Sequence, residues 1–155
     1  MARYVSAIAN GGTVYNCTLV DKIISPTGEI ILDKQPVAAN VIEGADAYLD
    51  AIREGMEDVS SGEEGTAVAQ FSGARYMPAA KTGTSQRTEL DVENNAWLVT
   101  YAPQDNPQIA VVVYVLNGYA GSRTAQAAWR VSDAYLTGIN QSEPTKAISE
   151  NTLAE

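Results

Sequence analysis

The sequence predicts a mixed α/β (α+β) domain, an antiparallel sheet flanked by helices, on three observations. Residues 79–86, 96–101 and 109–116 are β-prone runs joined by short polar links, the pattern of an antiparallel meander. Residues 45–59 and 123–138 carry apolar side chains at spacings of three and four, the period of an amphipathic helix. The chain has 155 residues, 45 % hydrophobic and 19 % charged, which is enough apolar material for one core and too little charge for a disordered chain.

From the N-terminus, Val5, Ile8 and Ala9 fall on one face of a helix that Gly11-Gly12 stops by supplying left-handed backbone positions. The helix starts with the chain itself and has no cap before Ala2, so a segment cut from something longer is expected, with a frayed natural terminus as the alternative. Runs 18–25 and 29–33 flank Ser25-Pro26-Thr27-Gly28, where Pro sets the first turn φ and Gly closes the turn, which predicts a hairpin. In 45–59 the apolar face is Ala45, Tyr48, Leu49, Ile52, Met56 and Val59; Asp46, Asp50, Glu54, Glu57 and Asp58 form a solvated acidic face. Residues 60–65 read as loop. The run 109–116 is apolar on both faces, which places it in the middle of a sheet covered on both sides. The last helix presents Ala125, Ala128, Trp129, Ser132, Tyr135 and Leu136 to the sheet, with Ser122 as N-cap and Gly138 as stop. Residues 1–139 are therefore the folded portion, and polar 140–155 is expected to be a loose tail.

Composition removes several functions. Ten Lys+Arg against 19 Asp+Glu give a net charge of −9, which repels a polyanion, so nucleic acid is excluded as a partner. With no histidine and one cysteine, Cys17, the chain can form no intrachain disulfide, Cys/His zinc cluster or Ser-His-Asp triad. Acid and base chemistry must run on Lys, Tyr or carboxylates. Cys17 itself reads as a small buried hydrophobe, and Trp97, Tyr101, Trp129 and Met56 as core. No basic stretch followed by an apolar one opens the chain, and its longest apolar run is far short of the ~20 residues of a membrane span, so this chain reads as soluble.

One tetrapeptide carries chemistry: Lys81-Thr82-Gly83-Thr84, at the start of a strand and followed by Ser85-Gln86. A phosphate-binding loop would need glycines where Arg75 and Ala80 stand, and a helix afterwards. The alternative fits. A lysine beside two hydroxyls makes a pocket for a carboxylate, glycine allows close approach to the backbone, and an exposed strand edge can pair with an extended peptide and offer an N–H to an oxyanion. Lys-Thr-Gly is the third signature of the penicillin-recognising serine acyl-transferases.

The flanking sequence extends the likeness. Ala-Asn-Gly-Gly-Thr from Ala9, the hairpin at Gly28, Arg-Glu-Gly-Met-Glu-Asp-Val from Arg53, Gly65-Thr66-Ala67, the Lys81 motif, Asn-Ala-Trp-Leu-Val-Thr-Tyr-Ala-Pro from Asn95, the run to Gly118 and the Trp129 helix follow in order. Together they resemble the C-terminal part of a penicillin-binding protein transpeptidase domain, class B type, with the β-lactamase/transpeptidase-like fold in part. Four positions depart from the family pattern: Ala80 for Gly, Cys17 for Pro, Asn95 for His and Thr100 for Gly.

The resemblance implies a role for each motif residue. Lys81 holds positive potential at a stem peptide's terminal carboxylate and helps proton transfer near the serine. Thr82 and Thr84 bind that carboxylate, or that of a β-lactam, and Gly83 keeps the wall open; Ser85 is read beside them as lining the cleft, with a core-facing position as the alternative. The backbone N–H of Thr84 is one oxyanion-hole donor. It implies no metal and no cofactor, and a parent at the cytoplasmic membrane with this domain outside the cytoplasm. No Ser or Thr in the chain is followed three residues later by Lys, so the Ser-x-x-Lys nucleophile is missing; Ser149-Glu150-Asn151 lies after the Lys81 strand and is coincidence. The expected partner is then the missing N-terminal half of the domain, and an apolar patch left open by its absence should favour self-association. Two other readings stay open: a non-catalytic scaffold module, and a β-lactam sensor or D,D-carboxypeptidase of the same superfamily.

Overall fold

The computed structural model describes residues 1–86 and 92–141. Their element order is α1 (Ala2–Ala9), β1 (Thr13–Tyr15), β2 (Lys22–Ile24), β3 (Ile30–Asp33), β4 (Ala38–Val41), α2 (Asp46–Ser61), α3 (Val68–Phe71), β5 (Ala79–Ser85), β6 (Asn95–Ala102), β7 (Ile109–Val115) and α4 (Ala125–Gln141). A 3-10 turn at Gly121–Thr124 leads into α4. The mixed architecture and the antiparallel meander are as the sequence predicts.

The sheet β5-β6-β7 is the frame, and β6 is its centre. Tyr101, Leu98, Ala96 and Ala102 of β6 are fully buried. Two clusters pack against opposite faces. Val5 and Ile8 of α1 and Leu49 and Met56 of α2 meet Ala79 and Tyr101 on one face. Ala67, Phe71, Ala125 and Ala128 meet Ala80 and Leu98 on the other. Because side chains alternate along a strand, β5 is buried by two neighbouring alanines and emerges only at Lys81.

The connection from α1 explains its glycines. Gly11 and Gly12 have φ of +85° and +101°. A Cβ at Gly12 would also lie 3.2 Å from the Ile42 carbonyl oxygen, so only glycine turns the chain there. The Asn10 side chain bonds both the N–H and the C=O of Thr13, fixing the helix exit to β1. Arg53 ties α2 to this corner by donating to the Ile8 carbonyl at 2.9 Å while pairing with Asp50 at 2.7 Å.

Several expectations are corrected. The run 109–116 is β7, at the sheet's edge: among the described residues it pairs with β6 alone. Its two apolar faces are met by α1 and α4, so face burial was present without a second neighbouring strand. The 18–25 strand shortens to β2, and the Ser25-Pro-Thr-Gly28 turn closes as expected by a Gly28 N–H to Ser25 carbonyl bond. Cys17 is exposed, because residues 16–21 run between the β1–β4 and β2–β3 ribbons with no core element over them. Helix α2 runs on to Ser61, into the expected loop. On its apolar face Leu49 and Met56 are buried, whereas Tyr48 is 75 % and Ile52 42 % exposed. The last helix passes through Gly138 to Gln141, since that glycine does not adopt a left-handed φ. Ser122 is not its N-cap but lies inside the 3-10 turn. Tyr135 is exposed, while Ala125, Ala128, Ser132 and Leu136 are buried. Residues 142–155, with Ser149-Glu150-Asn151, and 87–91 lie outside the described residues.

The apolar patch expected from the sequence is present. Met1, Tyr4 and Ile8 of the N-terminal segment, Val14 and Ile42 of the ribbon region, and Tyr48, Leu49 and Ile52 of α2 line an open groove of about 570 Å³.

Candidate functional site

Among the described residues strand β5 forms one edge of the sheet, paired with β6 in the register Lys81↔Val99, Thr82↔Leu98, Gly83↔Trp97, Thr84↔Ala96 and Ser85↔Asn95. At an edge strand, alternate N–H and C=O groups face away from the sheet and are open to an extended ligand. Buried Ala79 and Ala80 anchor the strand, and the buried Thr100 hydroxyl donates to the Ala79 carbonyl at 2.7 Å. Thr100, a departure from the family pattern, thus satisfies its own polar group within the sheet. Asn95, another departure, is buried and accepts from the Asn117 N–H at 3.2 Å. The methyl of Ala80 packs in the core with Phe71 and Leu98.

Lys81 is exposed, and its ammonium donates to the Thr82 carbonyl at 2.7 Å. Among the described residues it has no acidic partner within ion-pair distance. The charge is therefore available beside the strand edge. Thr82 and Thr84 point to the other face, where each hydroxyl meets a group from another segment. Thr82 Oγ1 lies 3.0 Å from Thr66 Oγ1, and Thr84 Oγ1 accepts the Gly121 N–H at 3.2 Å. Gly83 sits between them. A Cβ at Gly83 would approach Trp97 Cβ to 3.3 Å, so this glycine serves the packing of β5 on β6. Trp97 is half-buried and stacks on Tyr114 with ring centroids 4.1 Å apart. Ser85 and Gln86 are exposed at the end of the strand.

The structure thus brings Lys81, Thr82, Gly83, Thr84 and Ser85 onto one edge. Lys81 presents a cation on one face of this edge, and Thr82 and Thr84 present hydroxyls on the other, groups whose chemistry can meet a carboxylate beside an extended peptide. Thr66 and Gly121 are the members that sequence reasoning missed. The Gly65-Thr66-Ala67 segment was a visible signal without a role; the Gly121 contact joins residues 37 positions apart and leaves no local pattern. Among the described residues no group of three or more His, Cys, Asp or Glu side chains is placed to hold a metal.

Comparison with known proteins identifies the family. Residues 1–133 match the model of the penicillin binding protein transpeptidase domain. Penicillin-binding protein 2A of Bacillus subtilis is 36 % identical over 129 residues, covering 74 % of this chain and 18 % of the relative. Peptidoglycan D,D-transpeptidase MrdA of Haemophilus influenzae is 34 % identical over 104 residues, 58 % of this chain and 16 % of the relative. The solved structure of Pseudomonas aeruginosa PBP2 in complex with WCK 5153 superposes with a TM-score of 0.71 at 30 % identity, covering 96 % of this chain and 32 % of that one. The chain spans less than a fifth of the length of these curated relatives.

Proposed function

The chain belongs to the penicillin-binding protein transpeptidase domain family, class B type, and from that premise we propose that it is the substrate-binding part of a peptidoglycan D,D-transpeptidase. The observation that carries the reading is the Lys81 edge strand, whose ammonium has no acidic partner among the described residues and whose two threonine hydroxyls are each partnered.

In this reading Lys81, Thr82 and Thr84 hold the terminal carboxylate of a stem peptide, or the carboxylate of a β-lactam. Gly83 and Ser85 line the wall beside it. The serine of a Ser-x-x-Lys segment, in polypeptide outside residues 1–155, attacks the penultimate D-Ala carbonyl. The carbonyl oxygen becomes an oxyanion, held by the Thr84 N–H and the serine's own N–H. The C–N bond then breaks, the serine's proton passes to the departing D-Ala amine, and an acyl-enzyme remains. An amine of a second stem peptide forms the new amide and restores the serine hydroxyl. With lysines moving the protons, the scheme is compatible with a chain that has no histidine.

The segment carrying the serine would also cover the groove between α1 and α2 and the free edge of β7. That cover would bury Tyr4, Tyr48 and Ile52, which are 61 %, 75 % and 42 % exposed. Among the described residues no helix is long and apolar enough to cross a membrane. We place the parent protein at the cytoplasmic membrane, with this domain on its outer side, through an anchor elsewhere in the protein.

The test is labelling with a fluorescent penicillin. The chain alone should stay unlabelled, and the longer protein containing a Ser-x-x-Lys segment should be labelled. Failure of the longer protein to react would contradict the transpeptidase reading and favour a scaffold.

A further inference from the structure

The two threonines of the site are each held by a residue outside their motif, and the direction of each bond has a chemical consequence. A hydroxyl has one proton to give and two lone pairs to accept with. Facing a carboxylate, it is attractive only with the proton turned toward the ligand. The Gly121 N–H can only donate, so Thr84 Oγ1 must be its acceptor, at 3.2 Å. That bond occupies a lone pair and leaves the Thr84 proton for the ligand. The Thr66 and Thr82 hydroxyls are 3.0 Å apart and either can donate to the other. Once a carboxylate takes the Thr82 proton, the Thr66 proton is the one left to fill this pair.

Gly121 has no freedom to be another residue. A Cβ there would run into the carbonyl oxygens of Gly83 and Trp97 and lie 2.7 Å from the Gly83 nitrogen. All three are backbone atoms of paired strands and cannot swing aside. Any side chain would push the 3-10 turn off the sheet and lengthen the bond to Thr84.

We propose that Thr66 and Gly121 are positioning residues for the carboxylate subsite, each fixing one threonine hydroxyl of the Lys81 strand as a proton donor toward the ligand. The inference rests on the transpeptidase reading above and adds two residues to it.

The test uses the longer protein, with its Ser-x-x-Lys segment, and compares acylation by benzylpenicillin with acylation by benzylpenicillin methyl ester, whose carboxylate charge is removed. Thr66→Val keeps the side-chain shape and loses the hydroxyl. It should slow the reaction with benzylpenicillin by about tenfold and that with the ester by much less. Thr66→Ser should restore the wild-type ratio of the two rates. Gly121→Ala should lower that ratio in the same direction, with a thermal melt to establish that it folds; should it not fold, Thr66→Val and Thr66→Ser decide. Wild-type ratios in Thr66→Val, or equal slowing of both compounds, would overturn the proposal. An unsubstituted protein that reacts with neither compound would instead overturn the transpeptidase reading, and the positioning roles with it.

Discussion

At Lys81 the strand leaves the core within one residue and enters the candidate site. Ala80 is fully buried, and Lys81 carries an exposed ammonium with no acidic partner among the described residues. A charge so placed attracts a carboxylate without first giving up an ion pair. In the proposed longer protein with a Ser-x-x-Lys segment, Lys81→Ala should slow acylation by benzylpenicillin by about 100-fold, by analogy with removal of one electrostatic group from an acyl-transfer site. A stopped-flow rate within twofold of wild type would remove Lys81 from the site. Tyr101 supplies a second prediction. Its phenol is fully buried, and its hydroxyl has no hydrogen-bond partner among the described residues. Burial first, and then the nearby Glu57 carboxylate, raise its pKa above 10.0, while Arg53 acts in the opposite direction. The folded state therefore keeps its proton to higher pH than the unfolded chain. Its contribution to stability is fully present below pH 10.0 and is lost as pH rises through the higher folded value. Tyr101→Phe should flatten the alkaline loss of stability in denaturant melts taken across that range. An equally steep loss in the variant would contradict the assignment.

Among the elements, α4 reaches past the sheet to hold the segment that leads into β5. The Asp133 carboxylate accepts the backbone N–H groups of Arg75 and Tyr76 at 2.8 and 3.1 Å, and the Trp129 indole donates to the Gln70 carbonyl at 2.9 Å. Asp133→Ala removes a charged acceptor from two backbone donors and should cost about 2 kcal/mol in a denaturant melt. A change below a few tenths would show that the clasp is dispensable. These elements differ in how far the sequence exposes them. The meander was readable because Ile109, Val111, Val112 and Val113 leave only a strand as an option, and the Gly28 turn because Pro26 and Gly28 carry its geometry. Helix α3 has four residues, too few to express a period, and β1 and β4 have three and four. Apolar faces report that a strand is covered, not how many strands flank it, which is why β7 read as central. Likewise Lys81, Thr82, Gly83, Thr84 and Ser85 are contiguous and legible as a candidate site, whereas Thr66 and Gly121 reach that strand only through the folding of distant segments.

For the molecule as a whole, the open groove is the feature that the core does not explain. Met1, Tyr4, Tyr48 and Ile52 line it while exposed, beside a helix whose other face is acidic. Apolar area of this kind is normally covered by a partner. The chain alone should sediment above its monomer mass of 16.5 kDa, and Tyr48→Glu with Ile52→Glu should return it toward that value. A monomer without the substitutions would contradict self-association through this surface. The central claim is that residues 1–155 hold the substrate but not the nucleophile. Its most direct measurement is intact mass and peptide mapping after incubation with benzylpenicillin, for this chain and for the proposed longer protein with a Ser-x-x-Lys segment. The expected result is no adduct on this chain and one adduct in the longer protein, on a serine outside residues 1–155. A penicilloyl adduct on any residue of this chain, or none on the longer protein, would contradict the claim.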